Sequence, residues 1–383
     1  MMGSKRSYRR IAAELPRWLS NEGPEGDGVL STRLHLSRNC QDFCFPSMME
    51  SAEKIEILRR SEEAVREMEG EYRAMELASL DEIKRLLLTE QLYLPGSQAD
   101  PDEIGPGTRL WLSGDGGSAL LLNWEDHIRL SEIAPGFEIA ESYRRLEAAD
   151  SVLERYFSYA VSLELGYLRS RIEKTGSGLR AEVLLHLPGL GRDKRFDEVV
   201  AHAQREGLNL SRFGSTGGGS LAEVYLLVLE GQLGIPEQDL LEKLALVVVE
   251  FIHYEREARK NQRISGAREY LDLIWRDYGT LSHSRLLNLR ESLDLYSRVR
   301  CGQSLGILPD GPPGIGLFFL TQPGHVQYFY RQASQEEALD GPKDGSPATD
   351  EASEEFEADL EEFRADLFRD AFASKTVLDP TDL

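Results

Sequence analysis

A change of apolar period partway along the chain constrains its fold more than any other feature. Before about residue 230, short runs alternate apolar and polar residues, the spacing of a half-covered strand, and helical stretches lie between them. Val29 to Leu34, Leu110 to Leu112, Ala119 to Asn123, Leu179 to Leu187 and Glu223 to Leu229 read as strands. Ser113-Gly-Asp-Gly-Gly between the second and third is a hairpin signal. Residues 8–20, Ser51 to Leu92, Phe137 to Leu168 and Arg195 to Glu206 read as helices. From Pro236 onward the spacing is helical only: one long helix to Asn261, then at least two more over Tyr270 to Arg298, stopped by Gly279 and Gly302. Strands mixed with helices, then helices alone, predict an α+β domain over 1–257 and a helical domain over 258–333.

The remaining segment, 334–383, opens on a Gly/Pro/Asp-rich linker at 341–353. It continues as an acidic helix with Phe356, Leu360, Phe363, Leu367 and Phe372 near helical spacing. The stripe is narrow, so the tail is expected to be dispensable for folding, either a frayed or self-docking tail or a helix offered to a protein partner.

Of the 383 residues, 66 are acidic and 44 basic, a formal charge of −22, and about half of that excess follows Arg331. Such a field disfavours nucleic acid and anionic membrane as partners and favours cationic ones. No apolar run reaches the ~20 residues of a membrane span, and no apolar signal core follows the basic first ten residues, so a cytoplasmic protein is the expectation. Three cysteines make no disulfide framework. Cys40 and Cys44 lack a further Cys/His pair to complete a zinc set; they are expected to be buried thiols, and no metal site is expected from side chains alone.

Three segments carry chemistry. Ser31-Thr32-Arg33-Leu34-His35-Leu36-Ser37-Arg38-Asn39, Asn123-Trp124-Glu125-Asp126-His127-Ile128-Arg129 and Gly178-Leu179-Arg180-Ala181-Glu182-Val183 each place an arginine that could hold phosphate. The middle one adds a carboxylate for a guanidinium. Arginine suits phosphate because its planar fork binds two oxygens at once. With Gly23-Pro-Glu before them, and Gly166-Tyr-Leu, His186-Leu-Pro, Arg276-Asp-Tyr-Gly and Leu320-Thr-Gln-Pro-Gly among and after them, this ordered set resembles the phosphagen (guanidino) kinases, in particular the bacterial protein-arginine kinases.

The resemblance spans most of residues 12–330. It implies an antiparallel sheet flanked by helices, a small helical domain behind it, and transfer of the ATP γ-phosphoryl group, with magnesium, to protein arginine. It assigns Ser31, Thr32, Arg33, His35, Arg129 and Arg180 to ATP, and Glu125 to the substrate guanidinium. His127 is structural or nucleotide-adjacent.

The departures from the family pattern matter as much. His35 stands where a second arginine is expected, Trp124 replaces one of two carboxylates, and Arg171 replaces the cysteine beside the substrate. Glu182 falls in the cleft where the family has a small residue. A glycine run, Gly214 to Ser220, replaces a loop bearing an arginine and a glutamate. No Lys-Ser/Thr follows that run, which excludes a Walker-type phosphate loop; a mobile loop or a looser phosphate cradle both remain.

Two readings follow. One is a kinase in which Glu173, Glu182 or Glu223 replaces the missing carboxylate. The other is a pseudokinase acting as a regulatory or adaptor protein in protein quality control, through its helical domain or acidic tail, with weak ATP binding. Glu182 is expected to pair with a clamp arginine and to compete with phosphate. Arg171 either enters the substrate slot against Glu125 or swings into solvent.

Overall fold

The computed structural model describes residues 7–95, 104–213, 222–265, 267–312, 314–338 and 350–373. The glycine run at 214–220 lies outside these residues, as does the expected linker up to residue 349.

Ten strands and twelve α-helices are found among the described residues. Eight strands form one antiparallel sheet: β1 (Val29–Arg38), β2 (Tyr72–Glu76), β3 (Arg109–Ser113), β4 (Ser118–Leu122), β5 (Ile128–Pro135), β8 (Leu179–His186), β9 (Leu208–Arg212) and β10 (Val224–Glu230). Their order across the sheet is β2-β3-β4-β5-β1-β8-β10-β9. β6 (Val161–Ser162) and β7 (Gly166–Tyr167) make a separate small hairpin.

Side-chain alternation gives the sheet two unlike faces. Leu34 and Leu36 of β1, Ala181 and Val183 of β8 and Leu227 and Leu229 of β10 pack on α3 (Ser51–Val65), α5 (Ile139–Glu154), α6 (Phe196–Arg205) and α7 (Glu237–Ser265). The opposite face is covered only in part. Leu110, Leu121, Ile133, Leu184 and Val224 pack against a second core. That core is built from α1 (Tyr8–Ala13), α2 (Arg17–Ser20), α4 (Glu82–Glu90), α8 (Ala267–His283), α9 (Leu289–Ser304), α10 (Gly316–Leu320), α11 (Pro323–Ala338) and α12 (Asp350–Ala373). The uncovered part of this face is the floor of a cleft.

A buried ion pair ties α7 to its surroundings. The Glu255 carboxylate accepts from Gly189 N (2.9 Å), Leu190 N (2.6 Å) and Arg259 Nε. Arg259 also donates to Ser304 Oγ (3.0 Å), Asp27 O (2.9 Å) and His186 O (3.2 Å). One carboxylate and one guanidinium thus satisfy backbone groups from the end of β8 and the approach to β1, and a side-chain hydroxyl at the end of α9.

The antiparallel sheet flanked by helices, with a helical part behind it, is as expected. Several elements differ. The run Ser51 to Leu92 is broken by β2, whose Tyr72-Arg-Ala-Met-Glu76 contains good helix formers; cross-strand pairing with β3 overrides that propensity. The helix after Phe137 ends at Glu154 and gives way to the β6–β7 hairpin. Residues 8–20 divide into α1 and α2, with Pro16 at the start of the second. Gly279 and Gly302 lie inside α8 and α9 rather than ending them, because packing sustains both helices. Cys40 is buried as expected, but Cys44 is exposed. The boundaries at 257/258 and 333/334 fall inside α7 and α11.

The tail helix docks on its own chain, and its packing is more extensive than the narrow stripe suggests. Leu360, Phe363, Leu367, Phe368 and Phe372 of α12 are all buried in the second core. Tyr296 and Phe368 rings lie 5.6 Å apart and Tyr278 and Phe372 5.3 Å apart, and the Tyr8 backbone N–H donates to Asp370 (2.6 Å). The stripe is wide enough because Phe368, outside the spacing seen in sequence, joins it. Truncation after Asp340 is therefore expected to destabilise the protein. Phe368→Ala alone should cost about 3–5 kcal/mol, read as a lower urea midpoint; an unchanged midpoint after truncation would show that α12 adds nothing.

Candidate active site

The cleft floor is written in the register of three strands. β1 pairs with β8 so that Arg33 lies opposite Glu182 and His35 opposite Arg180; β1 pairs with β5 so that His35 lies opposite Ser131 and Ser37 opposite Arg129. Strand alternation puts all of these on the uncovered face. The cleft has a volume of about 720 Å³. Its cations are Arg33, Arg129, Arg169, Lys174, Arg180 and Arg212, and its carboxylates are Glu90, Glu125, Asp126, Glu182 and Glu230.

Two glycines make this register possible. Gly178, just before β8, has φ +73°, and a Cβ there would meet Ser37 O at 2.6 Å. A Cβ on Gly23 would overlap Pro135 O at 1.9 Å, where the turn before β1 crosses the end of β5.

Glu182 is the hub of the floor. Its side chain is 3% exposed and takes Arg33 on one oxygen and Arg180 Nε (2.6 Å) on the other. Arg180 is also paired with Glu230. Burial, with the neighbouring Arg129 and Arg180 cations, pushes the Arg33 pKa down; Glu182 is the counter-charge that keeps this guanidinium ionised. Arg33 further donates to Leu92 O, while its Nε is buried with no hydrogen-bond partner among the described residues.

His35 is neutral: burial and the cations Arg129, Arg33 and Arg180 hold its pKa well below the usual value. Its Nδ1 lies 2.6 Å from Ser131 Oγ, and its Nε2, with no hydrogen-bond partner among the described residues, is 3.7 Å from Glu182. The carboxylate on that side favours the tautomer with the proton on Nε2, so this edge is a buried donor turned toward Glu182. The Arg129 guanidinium makes no close ion pair among the described residues, and Glu125 and Asp126 are the carboxylates that attract it. Its pKa is lowered to about 10, first by burial, then by Arg180 and Arg169.

The rim is built on the β4–β5 turn. Asn123 adopts φ 55°, a left-handed conformation that asparagine tolerates, and its N–H donates to His127 O (2.9 Å). Asp126 then accepts from Asn39 Nδ2 (2.7 Å), Arg169 Nε (2.7 Å) and Ser170 N (3.0 Å). Glu125 points to the rim and holds two cations, Arg171 Nε at 2.7 Å and Lys174 Nζ at 3.0 Å. His127 is structural: Nδ1 accepts from Cys40 N (2.9 Å) and Nε2 donates to Cys44 O (2.7 Å).

Arg33, His35, Arg129, Arg180, Glu125 and Glu182 therefore meet in one cleft, as expected. Ser31 and Thr32 do not line it; the Thr32 hydroxyl donates instead to Gly136 O (2.7 Å). Arg171 reaches Glu125, but its side chain is 61% exposed, so it sits at the mouth rather than in a buried slot. Glu173 and Glu223 do not line the cleft, which removes two candidate replacements for the missing carboxylate. Sequence reasoning missed Arg212, Arg169, Lys174 and Asp126. Arg212 ends the alternating run Leu208-Asn-Leu-Ser-Arg212, a strand signal that could have been read; Arg169 directly follows Gly166-Tyr-Leu.

Residues 54–258 match the C-terminal catalytic domain of the ATP:guanido phosphotransferases, and residues 267–343 match the C-terminal domain of protein-arginine kinase McsB. The chain belongs to the ATP:guanido phosphotransferase family. It is 31% identical over 327 residues to the protein-arginine kinase of Halalkalibacterium halodurans, covering 84% of this chain and 91% of the relative. It is 33% identical over 329 residues to that of Bacillus licheniformis, covering 83% and 88%. Among solved structures, lombricine kinase aligns with a TM-score of 0.55 at 19% identity, over 67% of this chain and 72% of the other. The duplicated taurocyamine kinase of Schistosoma mansoni aligns with 0.56 at 20% identity, over 74% and 40%. These two structures show the shared fold. The family match ends at residue 343, so α12 lies beyond it.

Asp126 is 4% exposed and its partner Arg169 largely buried. Asp126→Ala should therefore cost about 3–5 kcal/mol by stranding that guanidinium. Faster amide exchange across residues 168–175 should accompany the loss, and unchanged exchange there would argue against Asp126 as the anchor.

Proposed function

We propose that this guanidino-kinase family member recognises phosphate and guanidinium groups in its cleft, with phosphoryl transfer from ATP to protein arginine suppressed, and that it acts chiefly as a regulatory or adaptor protein. The observation that carries this reading is Glu182, bound at once to Arg33 and Arg180. Both arginines then present less positive charge to a phosphate, and a ligand must displace a buried carboxylate to reach them.

The residues still fit phosphate. Arg33 Nε and His35 Nε2 are buried donors without hydrogen-bond partners among the described residues, and Arg129 is a cation attracted by Glu125 and Asp126. Arg33, Arg129, Arg180 and Arg212 would hold phosphate oxygens. No group of three or more His, Cys, Asp or Glu among the described residues could hold a metal ion. Magnesium, which neutralises phosphate charge in such reactions, would be bound mainly through the phosphates themselves. On the substrate side Glu125 keeps the charge needed to hold a guanidinium, and the protein-arginine kinase relatives make arginine of a protein the relevant one.

Magnitudes favour suppressed transfer. A missing positioned acid or base costs about 10²–10⁴ in rate, and a missing transition-state arginine about 10³–10⁵. Neutralising Arg33 and Arg180 works in the same direction.

Incubation with γ-labelled Mg-ATP and an arginine-rich protein should leave acid-labile label close to background. Efficient labelling would overturn the reading. Glu182→Ser should lower the stability of the free protein, because Arg33 loses its counter-charge. It should also raise Mg-ATP affinity by at least tenfold, the scale of one charge-assisted hydrogen bond worth about 1.5–3 kcal/mol. Calorimetry finding the same Mg-ATP affinity in both proteins would remove Glu182 as the cause.

A further inference from the structure

The first strand carries one arginine that has no part in the cleft. Alternation puts Arg38, the last residue of β1, on the helix-covered face with Leu34 and Leu36, and its side chain is 2% exposed. A cation in that layer needs a counter-charge and partners for its N–H groups. Asp150 of α5 supplies the charge, accepting from Arg38 Nη2 (2.8 Å) and Nε (3.2 Å). The Tyr159 hydroxyl donates to the other oxygen of that carboxylate (2.9 Å), and Glu237 at the start of α7 lies 3.9 Å from Arg38 Nη2.

The other contacts of Arg38 go to the two ends of one loop. Its Nη1 donates to Ser177 O (2.9 Å), and its guanidinium carbon lies 3.6 Å from the centre of the Tyr167 ring. A desolvated cation over an aromatic face is a strong form of that contact. Tyr167 also closes the neck of the loop, its N–H donating to Gly176 O (2.7 Å) and its carbonyl accepting from Gly176 N (3.3 Å). Between these ends lie the cations of the cleft rim: Arg169 on Asp126, and Arg171 and Lys174 on Glu125. Asp126 fastens the first part of the loop through Arg169 Nε and Ser170 N. Beyond it, Lys174 N donates to Arg171 O (3.0 Å) and Thr175 N to Ile172 O (3.1 Å), bonds that stay inside the loop, so this half takes its position from the neck.

We infer that Arg38 is a positioning residue: through Tyr167 and Ser177 it holds the neck of this loop, and so sets how firmly Arg171 and Lys174 occupy Glu125. A half-exposed ion pair returns little free energy, less than the ordering of a free loop would cost. Arg171 and Lys174 therefore stay on Glu125 only because the backbone that carries them is already fixed. Neither Arg38 nor Tyr167 lines the cleft, so their influence on Glu125 passes through the loop. The inference rests on reading Glu125 as the carboxylate for a guanidinium and adds the residues that govern its release. It also gives a task to Gly166-Tyr-Leu, a segment noted in the sequence without one.

The test is calorimetry on the full chain without nucleotide. The probe is a short, otherwise uncharged peptide bearing one arginine, with its citrulline counterpart as the blank. Tyr167→Leu removes the ring face and should raise affinity for the arginine peptide about three- to tenfold, the range of one cation–π contact. Tyr167→Phe keeps the face and should leave the affinity unchanged. Amide exchange should quicken over 168–177 in Tyr167→Leu and stay as it was in β5 and β10. Arg38→Lys keeps a charge beside Asp150 but not the planar fork, and should act as Tyr167→Leu does; Tyr167→Leu carries the test if that variant does not fold. Positioning is separated from general weakening by the double variant Arg171→Ala, Lys174→Ala. That protein should bind the arginine peptide more tightly than the parent, and adding Tyr167→Leu to it should change nothing further.

Unchanged affinity and loop exchange in Tyr167→Leu would overturn the inference. So would a full Tyr167→Leu effect that persists without Arg171 and Lys174, since the neck would then act by another route. If the double alanine variant tightens binding and Tyr167→Leu does not, the guanidinium reading of Glu125 stands and this inference alone fails. If none of these proteins prefers the arginine peptide to its citrulline counterpart, the reading of Glu125 fails and the inference with it.

Discussion

The pairing of β1 with β8 is the constraint on which the rest of the site depends. It sets Arg33 opposite Glu182 and His35 opposite Arg180, so ions that could not be buried singly are buried together. A slip of one residue would turn these side chains into the apolar face beneath α5 and α7 and bring Leu34 and Ala181 up in their place. Register is therefore enforced twice, by the greasy face below and by the ion pair above. The close approach at Gly178 and Gly23 belongs to the same constraint, since a side chain at either would push the strands out of position.

The second core supplies the walls. Glu90 at the end of α4 caps the first turn of α11, so the helical part is fastened beside the cleft through a carboxylate that also lines it. Arg364 of α12 donates to Thr321 O (3.1 Å), just before the Gln322–Pro323 wall. A contiguous chain of contacts thus runs from the acidic tail helix, outside the family match, to the cleft edge. α12 acts as packing for the wall as well as a source of negative charge.

Much of this was legible in the residues and some was not, for physical reasons. The alternation around Arg33 and Arg180 was enough to place Arg180 and Glu182 on one face, because period two is fixed by backbone geometry. The family motifs located Glu125 and Arg129 beside them. β2 was hidden because Tyr72 to Glu76 is charged and half-exposed, an edge strand whose identity comes from its neighbour rather than from its own residues. Arg212 closes a short alternating run, Leu208 to Arg212, whose strand signal is weakened by its brevity and by the glycine-rich sequence that follows. The tail was misjudged because a five-residue stripe looks narrow in one dimension; its worth depends on the aromatic groove formed by Tyr278, Tyr296 and Tyr330, which no local pattern reveals.

Glu182 and Glu125 show how burial separates two carboxylates that each hold two cations. Around Glu182, at 3% exposure, the pairs are shielded from solvent, and removing one member strands the others at high cost. Around Glu125, at 28% exposure, the partners Arg171 and Lys174 are 61% and 30% exposed, and water compensates whichever of them lets go. The first arrangement resists exchange and sets the resting charge of the floor. The second exchanges readily and can trade a cation of the chain for one brought by a ligand. Under the proposed reading of the cleft, a fixed inner pair and an exchangeable outer one would discriminate by the cationic end of what enters. Under that reading Glu125 and its rim loop would take the larger part in selecting a ligand, although the arginines are the more conspicuous feature of the sequence.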